Sequence, residues 1–133
     1  MAERTFQPGF RLSPLDVVVL LVGGVASACA AFVNMWFGIA IAFVVSHFFL
    51  FCNVLRMSRP LELVWATVFC GLAIAAITFR LLPWPVVLAV SAVVTVIVAI
   101  IEARRPSYHG VGWRQLNPRL REWWQSAAGD KGR

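Results

Sequence analysis

The stretch that decides the fold is residues 85–103, PVVLAVSAVVTVIVAIIEA. Up to Glu102 its only polar side chains are Ser91 and Thr95. It does not alternate with period two, so it is not a half-buried strand. It is long enough to cross a hydrocarbon core of about 30 Å, which takes about 20 helical residues. In lipid the backbone polar groups have no water to bond, so such a segment must be helical. Outward from it, three more runs of the same kind are found at about residues 14–32, 35–55 and 60–81.

The whole chain agrees. Of its 133 residues 60% are hydrophobic and 14% charged, with a net charge of +6. Soluble domains have about 45–50% apolar and about 25% charged residues. The apolar content excludes intrinsic disorder. Three cysteines are too few for a disulfide-stapled secreted module. The first sixteen residues carry Glu3, Arg4, Arg11 and Asp16, and no small-residue cleavage site closes a short apolar core. The first run is therefore expected to stay as a membrane span. The expected fold is an all-α integral membrane protein with four transmembrane helices in an antiparallel bundle, 14–103. It is flanked by an arm, 1–13, and by a basic, Trp-rich tail, 104–133.

Local signals mark the span ends. Ser13-Pro14-Leu15-Asp16 supplies an N-cap hydroxyl, a first-turn proline and a carboxylate three residues on. Arg59-Pro60-Leu61-Glu62 repeats the proline and carboxylate. Pro83-Trp84-Pro85 ends the third span and starts the fourth. The weakest boundary is Val33-Asn34, where neither residue is a strong breaker; one kinked or re-entrant element is the alternative there. In the tail, Asn117-Pro118 reads as a cap and first-turn proline for a short helix over about 118–126. Leu120, Trp123 and Trp124 are expected on one side of it, and Arg119, Arg121 and Glu122 on the other. Such a helix suits a headgroup layer or a partner subunit. Ala127–Arg133 is expected to lack structure. No internal repeat is present, so an inverted-repeat transporter within one chain has no support.

Eleven of the twelve Lys and Arg residues lie in the arm, the Arg56–Arg59 loop or the tail; Arg80 alone lies across the bundle. Basic residues flanking spans stay on the cytoplasmic side. Four spans put all three basic segments on one side, so both termini are expected in the cytoplasm. Small size and a short basic N-terminus suggest a bacterial inner membrane.

Candidate functional residues are few. His47 lies near the middle of span two, in Val45-Ser46-His47-Phe48-Phe49. An intramembrane imidazole is suited to an interhelical hydrogen bond, a proton relay, or ligation of a haem or chlorophyll-type pigment. The flanking phenylalanines would suit a flat macrocycle. The only other histidine, His109, is in the tail, so a bis-histidine haem would need a partner ligand. Span one carries small residues at Gly23, Ser27 and Ala31 and again at Gly24 and Ala28, a spacing that lets another helix approach closely. Asp16, Asn53, Arg56, Arg59, Glu62, Glu102, Arg104 and Arg105 fall near one interfacial plane. They read as an ion-pair collar that also meets anionic lipids, or as an ion or substrate entry. Trp36 and Trp84, with Arg80, read as an aromatic belt at the opposite interface, and Trp113, Trp123 and Trp124 as anchors in the tail. Cys29, Cys52 and Cys70 are expected at three different depths as buried small hydrophobes, which excludes a shared metal site.

No phosphate loop, His-Glu-x-x-His or nucleophile elbow occurs, and no carboxylate lies at a span centre. A proton-coupled drug exporter of this size would be expected to carry such a carboxylate. The leading expectation is a non-catalytic small tetraspan subunit of a larger membrane complex, respiratory or photosynthetic. The alternatives are a small oligomeric transporter or channel, and a cofactor or pigment carrier through His47. Enzymatic activity and nucleic-acid binding are not expected.

Overall fold

In a computed structural model, residues 6–130 are described, and Ser13 opens the first helix, α1 (Pro14–Val33). Asp16 N–H donates to Ser13 Oγ at 3.3 Å, and Ser13 N–H donates to the Asp16 carboxylate at 2.7 Å. This reciprocal pair satisfies two N–H groups that a helix start leaves free. Helix α2 (Met35–Phe49) follows after one residue. Asn34 alone makes the break between spans one and two. Its backbone is extended, its N–H closes α1 on Ala30 O at 2.9 Å, and its side-chain oxygen caps α2 by accepting from Trp36 N at 2.9 Å. A short polar side chain that can cap competes with helix continuation.

Helix α2 runs into a single π-helical turn, Leu50–Val54. Helices α3 (Arg59–Ile77) and α4 (Trp84–Ala103) follow, then a one-turn α5 (Trp113–Leu116) and α6 (Leu120–Asp130). All regular elements among the described residues are helical. Four helical stretches, Pro14–Val33, Met35–Val54, Arg59–Ile77 and Trp84–Ala103, are long and apolar enough to span a membrane. Span three ends at Ile77, four residues before the expected Leu81. There Leu81 N–H reaches back to Ala75 O at 3.2 Å, and Arg80 takes the left-handed conformation, φ 51°. Arg56 closes the π-turn in the same way at φ 48°, with Met57 N–H on Phe51 O at 2.8 Å. Glycine is the residue that fits these positions without strain; arginine holds both.

The buried apolar core comes from α2, the π-turn, α3 and α4: Ala40, Phe51, Trp65, Phe69, Ala76, Val87 and Val98. Helix α1 has no buried residue and packs along α2. At their closest approach Ser27 Oγ donates to Gly38 O at 2.7 Å, and a Cβ at Gly38 would lie 2.5 Å from Ala31 Cβ. A Cβ at Gly23 would lie 2.6 Å from a Val45 methyl, whereas Gly24 has nothing within 4 Å.

At the Val54 end the arm and tail fold together. The last carbonyls of a helix have no partner inside it, and those of the π-turn are taken from outside. Arg11 N–H bonds Asn53 O at 3.3 Å, and Val111 N–H bonds Val54 O at 2.8 Å. Gly9 N–H bonds His109 O at 2.7 Å, tying arm to tail directly. Gly110 lies so close that a Cβ there would meet Leu55 O at 2.6 Å and Val54 O at 2.7 Å. Both neighbours are backbone and cannot swing aside. Gly110→Ala is therefore expected to free the tail from the bundle, costing about 1–3 kcal/mol. Protease cleavage between Tyr108 and Trp113 should then outpace that of the parent; equal rates would refute the close contact.

The tail differs from its sequence expectation. Its helix is Leu120–Asp130, running past Ala127, where structure was expected to end. Leu120, Trp124 and Ala127 share a face, with Leu120 fully buried, and alanine is the best helix former. Asn117 is not the cap of that helix. Its side-chain amide donates to Pro106 O at 2.6 Å and Tyr108 O at 3.2 Å, and its backbone N–H bonds Trp113 O.

Candidate functional site

His47 is held by an aromatic stack. A carbonyl only accepts, so the 2.7 Å contact from Nδ1 to Phe43 O places the ring proton on Nδ1 and leaves the Nε2 lone pair free. The imidazole lies 4.1 Å from the Phe43 ring and stacks on Trp65 at 4.8 Å and 14°. Phe51 meets it edge-on at 5.7 Å. Trp65 is in turn stacked on Phe69 at 5.4 Å and 5°. The indole Nε1–H donates to Thr95 Oγ1 at 2.8 Å, and Thr95 Oγ1 donates to Ser91 O at 2.8 Å. One chain of contacts thus joins α2, α3 and α4.

The flanking residues Phe48 and Phe49 are not the ring's partners. Phe48 is exposed and Phe49 faces Phe10 at 6.0 Å. The partners along span two are Phe43 on α2 and Phe51 in the π-turn, four residues to either side, which helical periodicity puts on the His47 face. Trp65 had no such signal. No group of three or more His, Cys, Asp or Glu side chains comes together among the described residues. Cys29 and Cys70 lie on the outer surface, not in a core, while Cys52 is half-buried with Sγ 4.0 Å from the Glu62 carboxylate. A lipid-facing surface is as apolar as a core, so burial is not needed to hold a thiol.

The polar collar divides into local pairs. Arg59 and Glu62 approach to 4.0 Å, and Arg105 and Glu102 to 3.8 Å, both three residues apart. The link across helices is a serine. Ser58 Oγ donates to the buried Glu102 carboxylate at 2.9 Å and accepts from Arg105 at 2.8 Å, joining the start of α3 to the end of α4. Asp16 serves its own helix cap, and Arg56 donates to Gln7 O. Asn53 is buried and donates to Phe49 O at 3.3 Å. Arg104 joins no ion pair among the described residues.

Two tail tryptophans face the arm. Phe6 meets Trp113 at 5.8 Å and Trp124 at 5.6 Å, both edge-on, with Arg121 over the Phe6 ring at 5.7 Å. Trp123 remains exposed. Tyr108 is buried beneath, its hydroxyl donating to Val111 O at 2.7 Å. Burial pushes this phenol above its ordinary value near 10, and Glu102 adds to the shift. The folded state therefore keeps a proton that a released tail gives up near pH 10, and stability falls as pH rises through and beyond that value. Tail release followed by proteolysis is expected to accelerate above about pH 10 and to lose that acceleration in Tyr108→Phe. An unchanged profile in the variant would assign the effect elsewhere.

At the opposite end Trp36 is exposed and Trp84 meets Phe37 edge-on at 6.2 Å. Below them an apolar groove of about 480 Å³ runs between α2 and α3, with Ala40 and Phe69 at its buried side and Phe37, Ile77 and Trp84 around its mouth. His47 is not part of its lining. Comparison with protein-family models, curated protein sequences and solved structures finds no match to this chain.

Proposed function

We propose that this chain is a non-catalytic tetraspan subunit that packs against other helices of a larger bacterial inner-membrane complex. Its four helices form an antiparallel bundle with both termini in the cytoplasm. The placement of the basic residues supports that orientation, as does the Gly9–His109 bond, which keeps arm and tail at one end. Arg4, Lys131 and Arg133 lie outside the described residues. The exposed arginines of the tail add attraction to anionic lipid.

The observation that carries the reading is the second small-residue stripe on α1. Gly24 faces open space and Ala28 is exposed, while the Gly23–Ser27–Ala31 stripe is occupied by α2. Glycine weakens a helix and permits close approach of another, and among the described residues no helix uses it at Gly24. Mild-detergent extraction at native abundance, followed by native electrophoresis, tests this. The chain should migrate in a stoichiometric complex that Gly24→Leu with Ala28→Leu dissolves. A lone monomer, or a complex indifferent to that pair, would reject the reading.

A carrier role through His47 is the second reading. The Nδ1–H bond to a backbone carbonyl leaves Nε2 free, the arrangement that orients metal-binding histidines. A visible band that disappears in His47→Ala would support it, and a featureless absorption spectrum would reject it.

A further inference from the structure

The apolar groove at the Trp84 end is open, and its shape, depth and charge point to one occupant. It runs from Phe37 to Val45 on α2 and from Ile77 to Phe69 on α3. Eight residues of helix rise about 12 Å, close to half of a hydrocarbon core about 30 Å thick. The groove therefore has the depth of a single leaflet. Its small residues, Ala40 and Ala73, leave room inside, while bulky Phe37, Ile77 and Trp84 rim the mouth and hold a helix backbone away. A thin, flexible chain can enter where a helix cannot lie flat.

A cation sits in the turn between two of the lining residues, Ile77 and Trp84. Arg80 lies three residues past Ile77, just beyond the end of α3, and is exposed. It is the one charged residue between Glu62 and Glu102, so no carboxylate of that hairpin neutralises it. The turn that presents it holds arginine at φ 51°, where glycine would relax the backbone. A long cation at the level of the aromatic belt is placed for a lipid phosphate.

We propose that the groove binds one acyl chain of an anionic phospholipid, with the phosphate of that lipid on Arg80. The lipid is a bound component of the bundle, filling the space that Ala40 and Ala73 leave between α2 and α3.

The full-length protein in mild detergent, titrated with phosphatidylglycerol or phosphatidylcholine and followed by native mass spectrometry, tests this. One retained lipid per chain is expected, with about a fivefold preference for phosphatidylglycerol, from about 1 kcal/mol per basic residue near an anionic headgroup. Ala73→Phe should abolish retention with helicity unchanged by circular dichroism. Ala30→Phe, which fills the groove from α1, serves if the first variant does not fold. Arg80→Gln should keep the lipid and lose the preference. Equal retention in a folded groove-filling variant, or no discrete one-lipid species in the parent, would overturn the proposal. So would a dimer that the same substitution dissociates, because it would give the groove to a second copy of the chain.

Discussion

Replacing Gly38 by leucine is expected to force α1 away from α2 and to cost about 3 kcal/mol, the upper part of the range for overpacking a tight contact. The position has no slack. A Cβ there would meet Ala31 Cβ at 2.5 Å, Ser27 O at 2.8 Å and Ala31 Cα at 2.9 Å. Two of the three atoms belong to the α1 backbone, so no rotamer change can make room. The same displacement breaks the bond from Ser27 Oγ to Gly38 O, worth about 1 kcal/mol between membrane helices. Helix α1 buries no residue, and its other close contact with α2, Gly23 against a Val45 methyl, meets a side chain rather than backbone. Unfolding in a denaturing-detergent titration should show the loss. Gly38→Ala should lie between parent and leucine variant, and Ala31→Gly should return part of the deficit by reopening space. If Gly38→Leu unfolds like the parent, α1 is not held at this point.

Much of this arrangement is legible in the sequence, and the parts that are not share a physical reason. The spans are readable because length and apolarity act residue by residue, and because Pro14, Pro60 and Pro85 mark helix starts by local chemistry. The break at Asn34 is harder. Asparagine is only a weak breaker, and its double role as cap for both helices depends on the chain reversing there. The close approach at Gly38 is set by Ser27 and Ala31 across the turn, and composition within span two does not mark it. Docking of the tail depends on π-turn carbonyls that every residue carries, so Val54 and Asn53 give no side-chain signal. Of the candidate site, His47 is legible as an intramembrane imidazole, and Phe43 and Phe51 follow from period 3.6. Trp65 and Thr95 do not follow, because nothing local in α3 or α4 states which faces meet α2.

Trp65→Ala is expected to have the largest effect of any single truncation in the bundle. The side chain is 5% exposed and contacts rings from two elements: Phe43 and His47 on α2, and Phe69 on α3 itself. It also touches Phe51 in the π-turn and bonds Thr95 on α4. Burying apolar surface drives little association in lipid, where the surroundings are as apolar as the core. What is lost is therefore dispersion contact and the cavity left behind. Tryptophan-to-alanine changes cost about 3–5 kcal/mol in soluble cores, and the absence of a transfer contribution places this one near the low end, about 3 kcal/mol. Trp65→Phe separates the parts. It keeps an aromatic face against His47 and Phe69 but loses the Nε1–H donor to Thr95, so it should cost about 1 kcal/mol. Thr95→Val should cost a similar amount in the parent and almost nothing on the Trp65→Phe background, since the bond is already gone. The four proteins form a double-mutant cycle read by the same detergent titration. A large coupling places the α3–α4 attachment in that bond. If Trp65→Ala costs no more than Trp65→Phe, the aromatic stack contributes nothing beyond the hydrogen bond, and the imidazole of His47 is held by Phe43 and Phe51 without Trp65.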